Sequence, residues 1–147
     1  MDYQNAFAIS SAGMAVERLR VEVSALNLAS ANTVADGTGA VFQPLRVVAR
    51  AASGGVAGDP ATFSALIGRG MAGPVATVEA ADLPARKVLE PGHPAADAQG
   101  FVSYASVDPA TEMLTLLSAT RAYEANVAAM NAARTMAMRA LDIGGNG

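Results

Sequence analysis

The single histidine of the chain, His93, stands in Glu90-Pro91-Gly92-His93-Pro94, with Asp97 four residues on. An imidazole and two carboxylates are the side-chain types that hold metals, and a helix or rigid loop that converged them would make a site. The prolines oppose it. Pro91 and Pro94 with Gly92 spell a turn and forbid the helix that would align the three side chains. The expectation is a structural turn and no metal. Nucleophilic catalysis needs a hydroxyl with a base beside it. No serine here lies in a nucleophile-elbow pattern, and His93 would have to serve them all. Ala52-Ser53-Gly54-Gly55 lacks the phosphate-cradling spacing and the Lys-Ser/Thr pair that follows it. No pair of carboxylates is singled out for acid/base work. These residues predict no enzyme, no cofactor and no small-molecule substrate.

Asparagines are the remaining polar residues of interest. Asn27, Asn32, Asn126 and Asn131 recur near helix ends or beside apolar stripes. Asn32 suits a helix stop. For Asn27 and Asn126 two readings stand: a cap or surface position, or a polar residue set into an apolar interface to fix its register.

The elements that position these residues follow from periodicity. Ile9, Ala12, Val16, Leu19, Val23 and Leu26 alternate in steps of three and four, a heptad seam that keeps one stripe towards a partner helix. Glu17, Arg18, Arg20 and Glu22 lie off it. The spacing predicts a helix from near Tyr3 to Ala31, roughly 40 Å long, that loses its pattern at Asn32, Thr33, Gly37 and Gly39. Met113, Leu116, Thr120, Tyr123, Val127 and Met130 repeat the alternation, continued by Ala137 and Leu141, with Arg134 the exception. Asp108 or Thr111 caps this second helix, Pro109 fits an early position, and Gly144 and Gly145 stop it. Between the helices, 41–50, 74–81, 86–89 and 101–107 read as short strands, and 53–73 as a long loop with one short element near Phe63–Ile67.

The expected fold is mostly α with a small β region, the long terminal helices pairing as a coiled-coil-like core. It divides into an N-terminal assembly helix (1–35), a β and loop region (36–107) and a C-terminal assembly helix (108–147). Of the 147 residues 52% are hydrophobic and 16% charged, which excludes a disordered tail as the main business of the protein. Much of the apolar content is alanine, which suits helices in close approach. Net charge is −3 and the ten Lys and Arg are scattered, against nucleic-acid binding. With no cysteine there are no disulfides or thiolate sites. The N-terminus lacks a secretory-signal pattern and no apolar run has membrane-spanning length, so these features alone read as cytoplasmic. The middle region is too short to cover both seams within one monomer. Uncovered apolar stripes are normally interfaces, so the periodicity predicts oligomeric assembly.

Three segments resemble the bacterial flagellar axial proteins, the rod and hook family. Asn27-Leu28-Ala29-Ser30-Ala31-Asn32-Thr33, preceded by Ser11-Ala12-Gly13-Met14 and Arg18-Leu19, looks like the shared N-terminal signature, with Ser30 where an asparagine is usual. Pro91-Gly92-His93-Pro94-Ala95-Ala96-Asp97 followed by Gly100-Phe101-Val102 is similar to a segment of one proximal-rod subunit rather than of its sister rod proteins. Glu112-Met113 through Ala119-Thr120-Arg121-Ala122-Tyr123-Glu124-Ala125-Asn126-Val127, ending Ala140-Leu141-Asp142-Ile143-Gly144, resembles the family's C-terminal helix. Residues 51–86 lie outside the resemblance.

The resemblance implies a structural subunit of the proximal rod of the flagellar basal body. Such subunits leave the cytoplasm through the type III export apparatus without a cleaved signal and assemble in the periplasm. Their terminal helices pack in a helical tube that transmits torque from motor to hook. Implied partners are copies of the chain, other proximal and distal rod proteins, and the basal-body adaptor at the rod base. Helices without a partner in the monomer would then order on assembly. The expected interface residues are Ile9, Val16, Leu19, Val23, Leu26, Asn27, Asn32, Met113, Leu116, Tyr123, Asn126, Val127, Met130 and Leu141. A cytoplasmic helical adaptor or export chaperone, which would also expose apolar seams, is the alternative.

Overall fold

The structure, a computed structural model, describes residues 3–35, 39–51 and 73–145. Helix α1 spans Tyr3–Ala29 and helix α2 spans Pro109–Gly145, with strands β1 (Leu45–Ala51), β2 (Pro74–Ala80), β3 (Arg86–Leu89) and β4 (Phe101–Tyr104) between them. The protein is mostly helical with a small β region, as the periodicity predicts. The short element expected at Phe63–Ile67 lies outside the described residues. Among the described residues, no helix is long and apolar enough to cross a membrane.

Local chemistry marks the close of α1 and the start of α2, whereas α2 runs through Gly144 and Gly145, the glycines expected to stop it. At the close of α1 the Ser30 N–H donates to the carbonyls of Leu26 and Asn27, and the Thr33 N–H donates to Ser30. These tight bonds use carbonyls that the helix leaves free at its end. At the start of α2, Asp108 is the cap. Its carboxylate accepts the backbone N–H of Ala110 and of Thr111, and the Thr111 hydroxyl as well. Pro109 follows at the first helical position, where a missing N–H costs nothing. Bonded foremost by the Thr111 hydroxyl and then by the Ala110 N–H, the Asp108 carboxyl titrates below its ordinary range.

The four strands form two two-stranded sheets, β1 with β2 and β3 with β4. Strands β3 and β4 are antiparallel, with Arg86 opposite Tyr104 and Leu89 opposite Phe101. Strand β4 is shorter than the alternation over 101–107 predicts, because its partner β3 begins at Arg86, opposite Tyr104; on its other side it meets the chain leaving α1. Val34 bridges Tyr104, the Ala35 N–H donates to Ser103 and the Ala105 N–H donates to Thr33. Between β3 and β4 the Pro-Gly-His-Pro segment folds into consecutive turns, closed by the Glu90 N–H donating to the Gly100 carbonyl at 2.9 Å. Gly100 has φ +83° with Pro91 packed against it, a backbone that glycine adopts without a steric cost.

The chain gathers into two compact units. One is made of Met1–Leu19, Ala49–Thr77 and Ala119–Gly147, the other of Arg20–Val48 and Val78–Ser118. Among the described residues, those buried in the first are Ser10, Val16, Ala119 and Ala133, and in the second Val23, Ser24, Asn27, Ala31, Pro44, Val102 and Ala105. Val102 is wholly enclosed, worth about 1.5–3 kcal/mol of apolar burial.

Candidate functional site

In the first unit the covered side of α2 runs through Ala119, Ala122, Asn126, Met130, Ala133 and Ala137, at steps of three and four. Most of these are small. On α1 the covered positions include Ser10, Gly13 and Val16. A Cβ placed on Gly13 would meet Asn126 Oδ1 at 2.8 Å, so the two helices approach closely here and a larger residue would have to displace the Asn126 side chain. Asn126 Nδ2 meanwhile donates to the Ala122 carbonyl at 2.9 Å, which fixes the direction of its Oδ1.

A second apolar set on the same stretch of α2 lies outside that contact. Tyr123, Val127, Met138 and Leu141 are exposed, Val127 by 36% and Leu141 by 75%. With Thr120, Asn131 and Arg134 they follow the heptad spacing, turned about a quarter of the circumference away from the alanine side. Helix α2 therefore turns four alanines, with Asn126 and Met130, inward and leaves Tyr123, Val127, Met138 and Leu141 outward. An outward row of Tyr, Val, Met and Leu is the kind of surface that a partner normally covers.

In the second unit Asn27 is 1% exposed. Its Nδ2 donates to the Leu45 carbonyl at 2.7 Å and to Glu112 Oε1 at 2.9 Å, while its Oδ1 accepts the Leu45 N–H at 2.9 Å. One carboxamide thus ties α1 to the first residue of β1 and to the first turn of α2. Val23 is buried beside it, whereas Leu26 is 47% exposed. On α2 in this unit, Glu112 and Leu116 are half-buried and Met113, Leu114 and Leu117 exposed.

The expected interface residues thus separate into two groups. Val16, Val23 and Asn27 are buried within the chain, and Leu19, Leu116, Asn126 and Met130 are half-buried. Ile9, Leu26, Asn32, Met113, Tyr123, Val127 and Leu141 are exposed. Asn27 is neither a helix cap nor a surface residue. Leu45 enters the contacts without having been singled out by the sequence, and Gly13 and Glu112 were marked only as parts of the segments of family resemblance. A glycine within a helical pattern was the available signal for Gly13. Leu45 takes part through its backbone and Glu112 through a partner far along the chain, and neither leaves a local trace.

The three side chains that could have suggested a metal are each held by other partners. Glu90 accepts the Tyr104 hydroxyl at 2.9 Å, His93 Nδ1 accepts the Ala95 N–H at 3.1 Å, and Asp97 Oδ1 accepts the N–H of Gln99 and of Phe101 at 2.9 Å. The bond to Glu90 raises the Tyr104 phenol above its ordinary pKa, with burial and the charge of Glu90 adding to it. The Arg86 guanidinium, 5.4 Å from the Tyr104 ring centroid, and the edge of the His93 ring complete a packed turn.

Residues 98–143 match the family described as flagellar basal body rod FlgEFG protein C-terminal. Along nearly its whole length the chain is similar to proteins named flagellar basal-body rod protein FlgC. It is 33% identical to that of Salmonella typhimurium over 142 residues, covering 95% of this chain and 96% of the relative. With that of Bacillus subtilis it shares 36% identity over 141 residues, covering 92% and 94%. With that of Borreliella burgdorferi it shares 30% over 143 residues, covering 92% and 93%. Identity at this level, held from the α1 signature through the capped α2, establishes that the chain belongs to the FlgC family of flagellar basal-body rod proteins.

Proposed function

We propose that the chain is a structural subunit of the proximal rod of the flagellar basal body and not an enzyme. It assembles with copies of itself and with other rod proteins through the outward apolar residues of its two terminal helices. The observation that carries this reading is the division of labour on α2. Alanines occupy the contact within the chain, leaving Tyr123, Val127, Met138 and Leu141 exposed. Residues 1–35 and 108–147 supply the assembly core, and 36–107 the small β region attached to it. Ile9, Leu26, Met113, Tyr123, Val127 and Leu141 make contacts between subunits, while Val16, Val23 and Asn27 shape each helix pair from within. The rod built this way transmits torque from motor to hook, with the basal-body adaptor at its base. The subunit reaches the periplasm through the type III export apparatus without a cleaved signal peptide.

Electron microscopy of basal bodies tests it, using a strain that lacks the gene and is complemented with wild type or Val127→Asp. Val127 is exposed in the subunit, so the aspartate is solvated there, but an assembled interface would bury its charge without a partner. Wild type restores the rod and Val127→Asp does not, although the purified variant keeps the wild-type circular dichroism. Rods of normal length from Val127→Asp would overturn the assignment of this face, and intact flagella without the gene would overturn the function. In the second case the adaptor or chaperone reading would come first.

A further inference from the structure

Asn27 is a polar side chain buried to 1% exposure in its unit, and every hydrogen-bonding group of its carboxamide is used. Satisfied in this way, a buried amide is tolerated; deprived of its partners, it costs the full desolvation of each orphaned group. The same holds for the Leu45 N–H and C=O that it completes. A heptad seam by itself permits helices to slip by a turn, because each apolar step resembles the next. Asn27 removes that freedom, since any slip or rotation of α1 takes its carboxamide off both Leu45 and Glu112.

We infer that Asn27 is a register clamp that keeps residues 20–29 of α1 and 109–118 of α2 folded in the free subunit, ahead of assembly. This rests on the assembly reading above and adds where order already exists before subunits meet. The clamp does not stand alone. Val23, Ser24, Ala31, Val102 and Ala105 are buried in the same unit, and the bonds of Thr33 and Ala35 to β4 hold the chain directly after α1. Slipped pairings are rejected before subunits associate.

Amide hydrogen exchange on the full-length free subunit tests this. Residues 20–29 and 109–118 are expected to exchange at least about tenfold more slowly in the wild type than in Asn27→Asp. That substitution replaces the donating Nδ2 with an oxygen that faces the Leu45 carbonyl and the Glu112 carboxylate. Glu112→Gln alone keeps an acceptor and leaves the profile unchanged. Combined with Asn27→Asp it offers a donor to the introduced carboxylate and restores part of the protection. Protection of these segments in Asn27→Asp equal to wild type would overturn the clamp. If Asn27→Asp proves too unstable to purify, Asn27→Ser supplies the same comparison. Because exchange is read on unassembled protein, its failure leaves the rod reading intact. Rods built from Val127→Asp would count against the assembly face and leave the clamp standing.

Discussion

Gly13 of α1 lies against Asn126 of α2, so closely that an added Cβ would stand 2.8 Å from Oδ1 and 3.1 Å from Cγ of the asparagine. Glycine is a poor helix residue, disfavoured by about 1 kcal/mol against alanine in a helix interior. Its place here is explained by the approach it permits.

That trade gives a change of sign to measure. Gly13→Ala gains helix propensity but must displace a carboxamide that is itself bonded to the Ala122 carbonyl, and is expected to lower stability by about 1 kcal/mol net. In an Asn126→Ala background the obstruction is gone, and the same substitution is expected to raise stability by about 1 kcal/mol. Denaturant melts of the four proteins check this double-mutant cycle. A stabilising Gly13→Ala in the wild-type background would contradict the contact.

The two sides of α2 respond differently. Ala133, buried, has no room for a larger residue, and Ala133→Leu is expected to destabilise the free subunit by about 1–3 kcal/mol through overpacking. Met138 is 56% exposed, and Met138→Asp is expected to change the free subunit by less than about 0.5 kcal/mol. Swimming assays then give the second axis, with Met138→Asp immotile despite normal subunit stability. A motile Met138→Asp strain would remove this residue from the interface.

Asp108 confers an acid-dependent term on α2. Its folded pKa is depressed by the Thr111 and Ala110 bonds, so its stabilisation is fully present above the ordinary carboxylate value. It is lost as pH falls through the lower folded value. Asp108→Asn keeps a capping oxygen but does not titrate. The stability difference between wild type and Asp108→Asn is expected to be constant near neutrality and to shrink below about pH 4. Thermal melts followed by circular dichroism across that range measure it, and a difference that grows in acid would refute the cap assignment.

Tyr104 gives the opposite limb. Its folded pKa is raised by the hydrogen bond to Glu90, so its contribution is present below the ordinary phenol value and lost as pH rises through the folded one. The difference between wild type and Tyr104→Phe is expected to hold up to about pH 10 and then decline. Phenolate absorbance supplies an independent reading, because Tyr104→Phe removes a phenol whose titration is shifted upward. Unchanged titration curves would place the hydroxyl away from Glu90.

Local chemistry determined the ends and kinds of the elements. Asp108 beside Pro109 starts α2, and β3 falls on the residues that its alternation marks, because caps and strand patterns act over a few neighbours. The turn at His93 was equally legible, since proline restricts the backbone whatever surrounds it. Tertiary structure alone decided which side of each helix faces inward. On α2 both the alanine row and the Tyr123–Val127–Met138–Leu141 row repeat at helical spacing, and periodicity cannot choose between rows that are equally regular. The choice rests on distance of approach: alanines and Gly13 let the helices come close inside the chain, and the larger residues are left outside. Asn27 shows the same limit. Its partners lie 18 and 85 residues away, one is a backbone group, and no nearby residue records that they meet.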